Sequence, residues 1–392
     1  MQSSIGRSNF RARVGFLAAC ITLLLIPVQL RSLSLQSSFP DRSQSTNNAE
    51  SELQIGTQLT RAGHFQEAIP HLLAAQSGVS NRYAAEFNLA LCYVATRQNT
   101  QAIPILTELR RTHESAQVEN LLAQAYVGTG NSKAALDALK RAAAITPDNE
   151  KLYAYVADAC TESQNYELGL DVVDFGLQHL PNSATLHYQR AMFLSSLDQF
   201  DAAKPEFVLA TKLGTGSDIG YLATAQESLL EAKINEAARA AREGISAGHE
   251  DYRLLTILGE ALLRSGVTPD QPQFAEAESA LRKAVKLRPN YSDAQLALGK
   301  IELLSRHLNE AINHLEQARS LAPHNPAIYS QLAAAYREHG EVQKAQQTLA
   351  ILAQLNREQA EKISSAPGER KPVAGASNPN RRGTPKNQHR SR

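Results

Sequence analysis

Residues 116–149 read AQVENLLAQAYVGTGNSKAALDALKRAAAITPDN, and the pattern in these 34 residues decides the fold. Leu122, Ala123 and Tyr126 lie three and four apart, and Ala135, Leu139 and Ala142 repeat that spacing. Each set occupies one face of a helix. Gly128-Thr129-Gly130-Asn131 holds the turn between the two helices. Pro147 ends the second helix, since a proline ring cannot continue the backbone ladder. Such a helix pair cannot bury its own apolar faces, so it needs neighbours of the same kind.

Those neighbours are present. Units begin at Ala49, Tyr83, Ala116, Glu150, Ala184, Asp218, Tyr252, Ser292 and Pro326, with steps of 34, 33, 34, 34, 34, 34, 40 and 34 residues. The long step reflects an insertion at 267–272 (VTPDQP), read as a loop because it holds two prolines. Position 8 of the units is always Ala or Gly: Gly56, Ala90, Ala123, Ala157, Ala191, Ala225, Gly259, Gly299 and Ala333. So is position 20: Ala68, Ala102, Ala135, Gly169, Ala203, Ala237, Ala277, Ala311 and Ala345. Small residues at fixed places let helices cross closely. Position 7 (Ile55, Leu89, Leu122, Val156, Leu258, Leu298, Leu332) and position 24 (Leu72, Leu106, Leu139, Val173, Phe207, Leu281, Leu315, Leu349) fill the spaces between. Gly63, Gly130, Gly266 and Gly340 mark turns, and Pro147, Pro181, Pro289 and Pro323 stop second helices near position 32.

These residues resemble the tetratricopeptide repeat family over about 49–357. Small residues at 8, 20 and 27, Tyr93, Tyr126 and Tyr336 at position 11, and Pro at 32 carry the resemblance. The family's Trp at position 4 is missing, with Tyr153, Tyr221 and Tyr329 as the nearest substitutes. The resemblance implies an all-α, right-handed α-solenoid of about nine helix-turn-helix repeats. It also implies a concave face lined by first helices at positions 2, 5, 9 and 12. Candidate partner-groove residues are Phe87, Leu91, Asn120, Gln124, Tyr155, Asp158, Tyr188, Met192, Leu222 and Gln226. This mixture of apolar, aromatic and amide side chains suits a peptide or a partner's helix. The Lys and Asn pair of the chaperone-binding carboxylate clamp, and the Asn run of the sugar-transferase type, are both missing from this chain. The fifth and sixth repeats depart most, with Arg190 and Thr224 at position 7, Ser228 at position 11 and Ala241 at position 24. A softer joint is expected over 184–250.

Outside the array, Arg7, Arg11 and Arg13 precede an apolar run from Val14 to Leu30, with no acidic residue before Asp41. Residues 1–34 therefore read as a secretory signal, cleaved after Ser34, or as an N-terminal membrane anchor. Leu17-Ala18-Ala19-Cys20 resembles a lipobox, but the apolar run continues past the Cys. Residues 35–48 read as a flexible linker and 358–365 as a helical end. Residues 366–392 read as a basic disordered tail, with seven Lys or Arg against one Glu. That tail would either aid solubility or contact an anionic partner, such as lipid headgroups or acidic protein. Residues 1–48 carry five Arg and one Asp, which leaves the body 49–365 at a formal charge of −9. An acidic body does not point to nucleic acid.

No catalytic chemistry is expected. Gly128-Thr129-Gly130-Asn131-Ser132-Lys133 only weakly resembles a phosphate loop, for it lacks the Gly-Lys-Ser/Thr ending. His64 and His307 share position 16, and His71 and His314 share position 23, a periodic placement that argues for structural roles rather than a metal. Cys92 and Cys160 sit two repeats apart, beyond disulfide reach. No cofactor or metal is expected. The reading that follows is a non-catalytic, exported scaffold, periplasmic or otherwise extracytoplasmic. It would hold a protein or peptide in its groove and mediate assembly of an envelope or secretion complex. The alternative is an accessory subunit recruiting substrate for a separately encoded glycosyltransferase or peptidase. A third reading is a cytoplasmic adaptor whose N-terminus only mimics a signal.

Overall fold

The computed structural model describes residues 42–76 and 78–365. Residues 1–41, with the expected signal or anchor, and the tail 366–392 lie outside the described residues. The described residues form eighteen α-helices in nine pairs. The first helices are α1 (Arg42–Ala62), α3 (Arg82–Ala95), α5 (Ala116–Gly128), α7 (Glu150–Glu162), α9 (Ala184–Ser196), α11 (Asp218–Leu230), α13 (Tyr252–Arg264), α15 (Ser292–Leu304) and α17 (Pro326–His339). The second helices are α2 (Phe65–Ala75), α4 (Asn99–Thr112), α6 (Ser132–Ile145), α8 (Tyr166–His179), α10 (Phe200–Leu213), α12 (Ile234–Ser246), α14 (Pro272–Leu287), α16 (Leu308–Leu321) and α18 (Val342–Ser365). Each helix packs on the next, and each first helix also touches the following first helix. Second helices make no comparable contact with one another. The array therefore bends with its first helices inside.

The small residues of positions 8 and 20 sit where helices cross. A Cβ on Gly259 would lie 2.4 Å from Leu281 Cγ, and one on Gly299 2.7 Å from Leu315 Cγ, so position 8 faces position 24 of its own repeat. A Cβ on Gly169 would meet the Phe193 ring at 2.4 Å, so position 20 faces position 10 of the next repeat. Helix starts are capped by the last residue of the preceding unit. Ser115, Asn149, Ser183, Ser217, Asp251 and Asn325 each accept a backbone N–H with the side chain.

Two boundaries differ from expectation, at 42–48 and at Pro272. α1 starts at Arg42, so part of the expected 35–48 linker is helical. Pro272, expected in the inserted loop, is the first residue of α14, where a proline's fixed φ and missing N–H do no harm. α18 runs to Ser365 without a break, so the segment 358–365 continues the last repeat's own helix.

The turn inside each pair follows one rule. Position 15 has positive φ in all nine repeats: Gly63, Gly130, Gly266 and Gly340 in four, Arg97, Gln164, Asp198, Ala232 and Arg306 in the others. A Cβ is strained in that conformation. Ala232→Gly should therefore stabilise the array by about 1 kcal/mol. A guanidinium titration showing the variant no more stable than the parent would contradict this.

The missing position-4 Trp has a structural replacement. Tyr153, His187, Gln295 and Tyr329 all stand at position 4 and reach the carbonyls of Pro147, Pro181, Pro289 and Pro323, at 2.8, 3.0, 2.8 and 2.7 Å. Each of the four position-32 prolines is met in this way. A second polar link joins positions 4 and 23 within a repeat: Glu52 with His71 (2.6 Å), His187 with Glu206 (2.6 Å) and Gln295 with His314 (2.7 Å). The periodic histidines at position 23 are thus helix-to-helix ties.

The apolar core falls into three stretches. The first ends at Phe193, while Tyr188, Ala191 and Leu194 belong to the second, so the break lies in α9. The sixth repeat sits inside the second stretch. Arg190 bridges the break through Asp174 and Glu206, each at 2.6 Å. We therefore expect the softness foreseen over 184–250 to be confined to α9. Amides of α9 should exchange faster than those of α5, and equal protection would refute a joint there.

Candidate protein-binding groove

The inner surface is built from first helices, and two positions behave differently along it. Position 5 sinks between neighbouring inner helices: Asn120, Tyr188 and Thr256 are buried and Leu222 is 0 % exposed. Position 9 keeps surface at Asp158, Met192, Gln226, Glu260 and Lys300. Of the ten residues expected to line the groove, Phe87, Tyr155, Asp158, Met192 and Gln226 are partly exposed. Leu91, Asn120, Gln124, Tyr188 and Leu222 are buried. The amides expected to greet a partner are already used. Asn120 Nδ2 donates to the Leu152 carbonyl at 2.6 Å and Gln124 Nε2 donates to Asn120 Oδ1 at 2.8 Å, tying the third repeat to the fourth. The cause is close stacking of inner helices, which turns most of position 5, and position 9 at Leu91 and Gln124, from groove floor into packing.

The middle of the groove is bridged by the chain itself. Arg288, at the end of α14, donates to Glu162 of α7 at 2.8 Å across 126 residues of sequence. Arg97 stands 3.8 Å from the other Glu162 oxygen. Behind this bridge, the Arg253 guanidinium lies 5.8 Å from the Tyr188 ring centre and 5.7 Å from that of Tyr252. Asp251 holds it with two bonds of 3.0 and 2.8 Å. Tyr252 meets Tyr291 edge to face at 4.9 Å.

Asp158 lies in this crowded centre and accepts from Gln189 Nε2 at 2.9 Å. Burial pushes its carboxyl up to about 6, against the pull of Arg253. The folded state therefore holds a proton that the unfolded chain releases at lower pH. Stability from this group is full in acid and declines as pH rises through that value. Asp158→Asn should raise the Tm at pH 7 and leave it near the parent's at pH 4. An equal change at both pH values would rule out titration of Asp158 as the cause.

Beyond the bridge the groove opens again. A cavity of about 560 Å³ lies between α13, α15 and α17. Leu263, Leu296 and Leu303 form its apolar floor, with Glu260, Asp293, Lys300 and Gln331 around it. Burial, then the neighbouring Asp293, raises the Glu260 carboxyl above its usual range. Asp293 stays open to water, yet the groove walls remove enough solvent to raise its carboxyl as well, against bonds from Tyr291 and Ser292. Glu260 and Lys300 could have been chosen from sequence, since both occupy position 9. Arg288 and Glu162 could not, because nothing in the period pairs them.

Among the described residues, no group of three or more His, Cys, Asp or Glu is placed to hold a metal ion. Cys92 and Cys160 are buried free thiols, and burial raises the Cys92 thiol to about 11 and the Cys160 thiol to about 12. The sequence that resembles a phosphate loop is a helix end and turn, with Asn131 capping α6.

Paired helices stacked through small residues, with first helices inside, define an α-solenoid whose concave side is a binding surface. Residues 87–150 and 302–364 each match a model described as tetratricopeptide repeat, so the chain carries repeats of that kind. Proteins of this kind are scaffolds for protein or peptide partners. No curated protein matches the chain in sequence. Among solved structures it is similar to a chain of the APC/C hetero-tetramer Cut9-Hcn1, with TM-score 0.47 and 14% identity over 80% of this chain and 68% of that one. It is also similar to YrrB, a TPR protein with an unusual peptide-binding site, with TM-score 0.33 and 18% identity over 49% and 96%.

Proposed function

We propose that this protein is a non-catalytic, extracytoplasmic scaffold that holds a partner segment in the groove between α13, α15 and α17, in the assembly of an envelope or secretion complex. The observation that carries the binding site is the cavity itself. It joins a leucine floor to two carboxylates, a lysine, an arginine and two amides, the makeup of a surface that anchors apolar side chains and orients a backbone. Phe87, partly exposed and stacked on Tyr83 at 5.7 Å, offers a second contact nearer the N-terminal end of the array. Export rests on the arginine-led apolar run of residues 7–30. Among the described residues, no helix is long and apolar enough to cross a membrane.

Two measurements test this. A photo-crosslinker at Lys300 or Gln331 in the full-length chain should trap a discrete partner in cells, whereas one at the outward-facing Leu73 should not. Equal trapping from both faces would remove the groove from the proposal. A reporter fused after residue 48 should be active only outside the cytoplasm, and cytoplasmic activity would remove the location.

A further inference from the structure

The array ends differently at its two poles. In the first eight repeats position 24 is no more than 1 % exposed: Leu72, Leu106, Leu139, Val173, Phe207, Ala241, Leu281 and Leu315. In the ninth, Leu349 is 50 % exposed. Position 27 follows suit. Ala75, Leu109, Ala142, Ala210, Ala284 and Ala318 are buried, whereas Leu352 is only half-buried and Ala353 beside it is exposed. The internal joints show what covers this face. A Cβ on Gly176 or Gly244, both at position 27, would lie 2.9 Å from Leu186 or Leu254, the position-3 side chains of the next first helix. Position 20 faces position 10 of that helix, as Gly169 does Phe193. The covering stripe is therefore 3–7–10, seen as Val118, Leu122 and Ala125 or as Ile328, Leu332 and Ala335, all fully buried.

The opposite pole is finished with polar side chains. α1 turns Ser51 and Gln58 outward at positions 3 and 10, on either side of the part-exposed Ile55. Repeat arrays need such polar end faces to stay soluble, and α18 lacks one. The tail 366–392 has Val373 as its only large apolar residue, so it contains no 3–7–10 stripe. A second copy has none to spare either. Its inner first helices are covered by their own neighbours, and α1 offers Ser and Gln where apolar side chains are needed.

We infer that the outer face of α18, at Leu349, Leu352 and Ala353, seats an amphipathic helix of a partner protein with apolar side chains at i, i+4 and i+7. The partner helix takes the place of a tenth first helix and continues the joint already repeated along the chain. This site is separate from the concave groove and does not depend on the groove being occupied.

The probe is a fluorescein-labelled, side-chain-stapled peptide with the sequence of residues 326–339 (PAIYSQLAAAYREH), which carries the stripe Ile328–Leu332–Ala335. The full-length chain should bind it saturably in fluorescence anisotropy. Leu349→Glu should weaken binding at least tenfold, and Leu349→Gln should weaken it less. Leu73→Glu, at an exposed leucine elsewhere, should leave binding unchanged. Circular dichroism melts identify any variant that fails to fold, and the Gln variant then carries the test. Absence of saturable binding, or binding indifferent to Leu349, overturns the inference. So does a dimer in sedimentation that Leu349→Glu splits, because a second copy would then hold the seat.

Discussion

Arg110→Ala should destabilise the array by about 3–5 kcal/mol, the usual cost of stranding a buried charge. Glu119 stands at position 4 of the third repeat, where the family carries Trp, and its side chain is 0 % exposed. Arg110, on the preceding second helix, meets it with two parallel bonds: Nε to Oε1 at 2.6 Å and Nη2 to Oε2 at 2.7 Å. Removing the guanidinium leaves a carboxylate with neither water nor a counter-ion. The pair as a whole is less valuable than its rupture suggests, because both groups were desolvated to form it. Arg110→Ala combined with Glu119→Leu should therefore recover most of the loss. Guanidinium titrations of the two variants measure both quantities. A single variant within 1 kcal/mol of the parent would show that water reaches Glu119.

The second large effect is expected at Gly220→Ala, about 2–3 kcal/mol from overpacking. A Cβ there would lie 2.1 Å from the Gly214 carbonyl oxygen and 2.7 Å from its carbon. The obstacle is backbone, held where the Gly214 carbonyl also accepts the Ser217 backbone N–H (2.9 Å) and hydroxyl (2.7 Å). It cannot step aside as a side chain can. Gly128→Ala is the control, because the added carbon meets only the end of the Asn99 side chain, which can swing away. The Gly220 variant should lose amide protection first at the junction of α10 and α11. Similar losses in both variants would mean that this junction yields as easily as a surface side chain.

Much of the scaffold was legible because it is local and repeated. The step of 34 residues, the small side chains at positions 8 and 20 and the proline stops each depend on residues within one or two helices. Other features are legible in the same local way. Each position-32 proline is followed six residues later by a donor, in Tyr153, His187, Gln295 and Tyr329, and that correlation needs no structure to find. The left-handed position 15 was visible at its four glycines and weakly signalled at Asp198, but hidden at Arg97, Gln164, Ala232 and Arg306, because those residue types carry no turn signal. Arg190 read as a weakness by its polarity, and in the fold it ties α8, α9 and α10 together.

The groove was less legible, and the reason is geometric. Family position alone does not tell whether a side chain at position 5 or 9 faces a partner or a neighbouring inner helix, and Leu222, Tyr188, Asn120 and Gln124 went to the neighbour. The outcome depends on how sharply each repeat turns against the next, a small rotation that accumulates over the array. The sequence by itself determined nine helix pairs, most of their boundaries within a few residues and the joints between them, since these follow from period, side-chain size and turn chemistry. Only the tertiary structure decided where the groove is open. Arg288 meets Glu162 across 126 residues because the accumulated curvature brings the seventh repeat over the fourth, and no local pattern encodes that sum.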